Sequence, residues 1–201
     1  MDKILKLFQY NQKLKFTEIE DSLNIRSNKL AYHLKNLLKS GVLNKEGEFY
    51  FLSEASEYLI PYIDEKNATL PAILIHVGNA KESLLYTRNK RPYRGLLSMP
   101  GGRILIGESL DEAVKRILGK KFNINSKLSK IHSVSLEHVR KSGRLIHSFL
   151  LIFVSATTKD TISLTDLKKN KSKIIPSDYN LLSNDLSKKI SIKTFNSITK
   201  E

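Results

Sequence analysis

The sequence predicts a two-domain chain of mixed α and β structure, α+β in its first third and α/β in the remainder. Three observations carry this. Residues 1–66 follow the order helix, short strand, helix, turn, helix, hairpin. Residues 67–201 combine branched apolar runs with an amphipathic helix that follows a Pro-Gly-Gly turn. Charge also divides between the same segments. Residues 1–66 hold ten Lys and Arg against ten Asp and Glu, whereas 67–201 hold 24 against ten, which is the whole net charge of +14.

The elements of residues 1–66 follow from local signals. A first helix is expected over Lys3–Tyr10 and a short strand over Lys13–Phe16. A second helix starts at Thr17, with Glu20 in capping-box position. Asn24-Ile25-Arg26 is the turn. Ser27 caps a third helix over Asn28–Ser40, whose Leu30, Leu34, Leu37 and Leu38 face inward. Gly41 stops it, since only a residue free to adopt positive φ closes a helix in this way. Val42–Lys45 and Phe49–Leu52 flank Glu46-Gly47 as a hairpin. A further helix is expected over Ser53–Lys66 as a connector, with Pro61 kinking or restarting it.

This order, and the run SNKLAYHLKNLLKSGVL, resemble the winged helix-turn-helix of arsenical-repressor-type prokaryotic regulators. The resemblance implies that the third helix reads double-stranded DNA, and that the Ser53–Lys66 helix serves in dimerisation where it is not a connector. Its outward positions Arg26, Ser27, Asn28, Lys29, Tyr32, His33 and Asn36 are the expected DNA contacts, with Lys45 of the wing on phosphate. The chain has no Cys, so the metal sensing of those regulators does not carry over, and disulfides and thiol catalysis are excluded. The five His show no metal-ligand spacing.

In residues 67–201, strands are expected over Ala72–Val77, Ser83–Arg88, Lys130–Val139 and Leu145–Ala156, the last of them central. Thr165–Lys169 and Ser177–Leu186 read as helices, the second capped at Ser177-Asp178, and a polar tail follows. The run MPGGRILIGESLDEAVKRILGKKFNI lies between the second and third strands. Leu110, Ala113, Val114, Ile117 and Leu118 form its apolar stripe, and Ser109 with Glu112 forms a capping box.

That run resembles a Nudix box. Gly102, Glu108 and Arg116 stand at the box spacings, and GLLSMPGG resembles its lead-in. The three glutamates that hold metal in the family are replaced by Ile117, Lys120 and Lys121, and the closing Gly by Asn123. The resemblance implies an α/β/α sandwich with a mixed sheet. The replacements imply a domain without Mg²⁺-dependent hydrolysis, because a hard cation needs oxygen ligands. A nucleotide-type or phosphorylated ligand is implied at Arg88, Arg91, Arg94, Gly101, Gly102, Arg103, Arg116, Lys120 and Lys121, with Glu108 paired to Arg116.

The combined expectation is a cytoplasmic, homodimeric regulator. Residues 1–66 bind DNA, 67–201 sense the ligand, and there is no cofactor, catalytic residue, metal or membrane contact. Two alternatives stand beside it. One is a hydrolase of nucleoside diphosphate derivatives with non-standard metal ligands, for which Glu82, Glu137 and Asp160 are the spare carboxylates. The other is an RNA-binding protein.

Overall fold

The computed structural model describes residues 2–56 and 68–195. The chain forms two compact units that divide between Ala68 and Thr69. The expected helix over Ser53–Lys66 lies mostly outside the described residues, as does the end of the polar tail.

The first unit runs α1 (Asp2–Leu7), β1 (Leu14–Lys15), α2 (Phe16–Leu23), α3 (Ser27–Lys39), β2 (Leu43–Glu46) and β3 (Phe49–Leu52). Its three strands pair antiparallel in the order β1–β3–β2. The leucines of α3 at positions 30, 34 and 37 recur at helical period and pack on Ile4, Phe8 and Ile19. Gly41, at φ 71°, ends α3. Its amide donates to Leu38 O, and that of Val42 donates to Leu37 O, so two carbonyls that the helix leaves open are satisfied.

Two caps differ from expectation. The carboxylate that reaches back at the start of α2 is Glu18, which accepts from Lys15 N at 2.6 Å. Ser27 does not cap α3, because its hydroxyl donates to Glu20 instead. The helix boundary therefore moves to Arg26, which has extended backbone.

The second unit is a mixed four-stranded sheet in the order β8–β4–β10–β9. Strands β4 (Leu70–His76) and β10 (Arg144–Thr158) run parallel, and β8 (Gly101–Arg103) and β9 (Ser126–Lys141) are antiparallel edges. β10 is covered on both faces. Ile152 and Val154 join Ile73, Ile75 and helix α4 (Leu110–Phe122) on one side. Leu151 and Phe153 join Met99, Leu181 and Leu182 of helix α5 (Pro176–Asn184) on the other. A strand buried twice has no solvent face to make polar, so FLLIFV is continuous rather than alternating. Ser142 and Gly143, at φ 49° and 78°, make the tight β9–β10 turn.

The strand expected over Ser83–Arg88 is divided. β5 (Glu82–Ser83) pairs with β11 (Thr165–Asp166), and β6 (Tyr86–Thr87) pairs with β7 (Leu97–Ser98). The pairing with β5 also removes the helix expected over Thr165–Lys169, and the Asp166 carboxylate then accepts from Lys169 N at 2.8 Å in a local turn. Among the described residues no helix is long and apolar enough to cross a membrane.

Phe153 is fully buried between the sheet and α5. Phe153→Ala is expected to destabilise the chain by about 3–5 kcal/mol, through lost burial plus the cavity left behind. Urea unfolding followed by circular dichroism measures it. A loss below about 1 kcal/mol contradicts the packing described.

Candidate functional site: a charged cavity beside the Gly101–Gly102 strand

Helix α4 starts as its sequence dictates. Ser109 N donates to Glu112 Oε2 at 2.8 Å, and Glu112 N donates to Ser109 Oγ at 3.3 Å. It ends at Asn123, whose left-handed φ of 55° does the work of a glycine. The preceding loop is tied down by one ion pair. Arg116 Nη2 donates to Glu108 Oε2 at 2.7 Å and to Arg103 O at 2.8 Å, while Glu108 also accepts from Leu105 N. The guanidinium holds the Glu108 carboxyl below the usual carboxylate range.

Strand β8 lies close to β4 at Gly101 and close to α4 at Gly102. A Cβ on Gly101 meets Ile73 O at 2.8 Å, and one on Gly102 meets Ile117 Cδ1 at 3.2 Å. Ile117 therefore belongs to the core, and it is 2% exposed. Lys121, one turn further on, donates its Nζ to Gly101 O at 2.6 Å.

Beside this junction lies a cavity of about 620 Å³. Its apolar wall includes Leu74, Tyr86, Phe122, Phe149 and Leu151. Arg88, Lys90, Arg103 and Lys121 bring positive charge, and Glu137 and Asp178 bring carboxyls. The loop after β6 closes over it because Arg88 Nε donates to Pro92 O at 2.6 Å and to Lys90 O at 3.1 Å. Tyr93, left-handed at φ 65°, then donates its hydroxyl to Glu137 Oε1 at 3.0 Å. Burial first, and Glu137 second, push the Tyr93 phenol up to about 12.

Asp178 is 3% exposed and does not cap α5. Its Oδ2 accepts from Met99 N at 2.8 Å and from Ser98 Oγ at 3.0 Å. Burial pushes its carboxyl up to about 6, Glu137 adds to the shift, and the two donors oppose it. Lys121 is pulled below its ordinary value by burial first, then by Arg88, Lys90 and Arg116.

Of the expected ligand residues, the structure brings Arg88, Gly101, Gly102, Arg103 and Lys121 to the cavity. Arg91 and Arg94 are exposed and do not line it, Lys120 is exposed on the helix end, and Arg116 is spent on Glu108. Sequence reasoning missed Lys90, Tyr93 and Asp178, and left Glu137 among spare carboxylates. The only signal for Asp178 was its place after Pro176, which equally fits a cap.

The residues at the metal positions of the box do not fit Mg²⁺. Ile117 is core, Lys120 is exposed and does not line the cavity, and the Lys121 ammonium already occupies the Gly101 carbonyl. Among the described residues, no group of three or more His, Asp or Glu is placed to hold a metal. The buried imidazoles are used structurally, His76 on Ser83 at 2.9 Å and His132 on Ser155 at 2.6 Å.

In the first unit, Asn28, Lys29, Tyr32 and Asn36 are exposed on α3, and His33 is half-buried with its ring edge-to-face on Tyr32. Lys45 Nζ lies 5.1 Å from the Tyr50 ring centroid. The Ser27–Glu20 hydrogen bond sets a carboxylate at the start of α3.

No family model matches the chain, and no curated protein does. Among solved structures it aligns with a NUDIX hydrolase from Nitrosomonas europaea at 17% identity, over 59% of this chain and 70% of that one, with a TM-score of 0.46. It aligns with a MutT protein from Methanosarcina mazei Go1 at 16% identity, over 59% and 94%, with a TM-score of 0.46. A UDP-X diphosphatase aligns at 14% identity over 78% of each chain, with a TM-score of 0.45.

The expected DNA-binding regulator with an enzymatically inert second domain is corrected here, together with its double-stranded DNA partner. The structures that align are hydrolases. The expectation of no enzyme rested on positions 117, 120 and 121 alone. The fold adds Glu137 from β9 and Asp178 from α5 to the same cavity, which helical spacing along the box does not reveal. The DNA reading rested on the resemblance of residues 1–66 to a winged helix-turn-helix and on the outward residues of α3 that it implied; the segment has zero net charge, and the Glu20 carboxylate at the start of α3 is unfavourable to phosphate.

The raised Asp178 carboxyl has a stability consequence. Its folded value of about 6 exceeds the unfolded value of 3.8, so its contribution is complete below about pH 4 and is lost as pH rises through 6. Two units correspond to about 2–3 kcal/mol. Asp178→Asn removes this dependence. Wild type is expected to lose stability relative to this variant between pH 4.5 and 7.5 in paired urea titrations. A pH-independent difference rules out a buried ionisable carboxyl.

Proposed function

We propose that residues 67–201 form a Nudix-like domain that hydrolyses the phosphoanhydride bond of a nucleoside-diphosphate-type compound. One observation carries the reading: a single cavity holds Lys121, Arg88 and Arg103 for a diphosphate, a free-standing apolar wall for an organic group, and the Glu137 carboxylate for a proton. The box spacings of Gly102, Glu108 and Arg116 support the same fold. For residues 1–66 we propose the winged helix-turn-helix fold, supported by three helices followed by the β2–β3 hairpin.

The chemistry follows from the groups present. Lys121 and the arginines meet the non-bridging phosphate oxygens, where negative charge gathers as the anhydride breaks. Tyr86, Phe122 and Phe149 pack against the organic portion. Water attacks phosphorus, a new P–O bond forms, the bridging P–O bond breaks with its electron pair going to the departing phosphate, and Glu137 takes the proton of the water. The Tyr93 hydroxyl holds Glu137 in position.

The test is release of nucleotide and phosphate from nucleoside diphosphate sugars, dinucleoside polyphosphates and nucleoside triphosphates, followed by chromatography. Glu137→Gln is expected to lower kcat by about 10²–10⁴, the usual range for a lost general base, with KM changed only a few-fold. Unchanged kcat removes Glu137 from the chemistry. No turnover of any compound, with or without divalent cations, overturns the hydrolase reading.

A further inference from the structure

We infer that the cavity binds the diphosphate group without a divalent cation, the Lys121 ammonium supplying the charge, and that Mg²⁺ weakens binding. This rests on the proposed diphosphate class of ligand, but not on turnover. The first ground is occupancy. The Gly101 carbonyl is the hard oxygen exposed at the glycine edge, and Lys121 Nζ already donates to it at 2.6 Å. A second ground is that the nearby carboxylates have partners. Glu108 is held by Arg116 and Leu105 N, Asp178 by Met99 N and Ser98, and Glu137 by Tyr93. Hard cations need several oxygens freed for coordination.

The third ground is the field. Arg88, Lys90 and Arg103 line the cavity together with Lys121, and Arg88 and Lys90 disfavour its ammonium. A cluster of like charge repels a dication and is relieved by an anion. Magnesium acts against this arrangement twice: it is repelled by the cations, and it neutralises the charge of free diphosphate in solution. Lys120, adjacent in sequence, does not line the cavity and serves as the internal control.

The experiment is calorimetric titration of the full chain with inorganic pyrophosphate in EDTA, repeated in excess Mg²⁺, at matched ionic strength and with sulfate as the comparison anion. Wild type binds pyrophosphate in EDTA, and excess Mg²⁺ raises Kd. Lys121→Met raises Kd by about tenfold or more, the worth of one charge-assisted contact. Lys121→Arg retains most of the affinity, and Lys120→Met matches wild type. Circular dichroism and thermal melts establish that each variant is folded; should Lys121→Met unfold, the arginine variant and the Mg²⁺ dependence still decide. Pyrophosphate binding only when Mg²⁺ is present overturns the inference, as does equal affinity for sulfate or equal loss in both lysine variants. Metal-free binding without turnover of any compound leaves this inference standing and removes the hydrolase reading. Mg²⁺-dependent binding with turnover does the reverse.

Discussion

Strand β8 packs closely on β4 and on helix α4 through two residues without side chains, Gly101 and Gly102. A Cβ on Gly101 collides with the Ile73 carbonyl of β4 at 2.8 Å, and one on Gly102 presses on the Ile117 side chain of α4 at 3.2 Å. Much else depends on this contact. It places Ile117 in the core rather than at a ligand site. It sets the Lys121 ammonium on the Gly101 carbonyl. It lets Arg116 span from Glu108 to the Arg103 carbonyl, so that the loop between strand and helix is held at both ends. One wall of the cavity is therefore built by packing, and its charge follows from which residues the packing leaves outward.

The opposite wall comes from strands and loops distant in sequence. β9 contributes Glu137, the β6–β7 loop contributes Tyr93, and α5 contributes Asp178. Their bonds are mutual. Tyr93 holds Glu137, while Ser98 and Met99 hold Asp178, and burial keeps the phenol and the Asp178 carboxyl neutral further up the pH scale than in water. Cations and carboxyls share one cavity without forming an ion pair between Lys121 and either acid, among the bonds of the described residues. Charge of both signs therefore lines one cavity.

The two units also solve different electrostatic problems. The first is neutral and pairs its charges locally, with Lys15 on Glu48 and Lys13 on Glu46 at its surface. The second carries the basic excess. Surface pairs of this kind contribute little to stability. The first unit is held instead by the leucines of α3 and their partners.

Periodicity alone was enough for much of this. The stripe of α4, its capping box, the leucines of α3, the Gly41 exit and the doubly buried β10 are encoded within a few residues of one another, since helix and strand repeats are local. The replaced glutamate positions were equally legible, and so were Arg88, Arg103 and Lys121 once the loop and box had been placed. The division of residues 82–88 between two partner strands, the strand at Thr165 and the hydroxyl of Ser27 turned to Glu20 depend on contacts that no local window contains. The same is true of the chemistry. Glu137 and Asp178 look like ordinary surface acids in sequence, and only the sheet order and the docking of α5 bring them to face Lys121 across one cavity. Local sequence determined which segments are helices and strands and where charge accumulates. Tertiary packing decided which of those charges are buried, paired or left to act, because a carboxyl's energy depends on neighbours that the chain supplies from anywhere along its length.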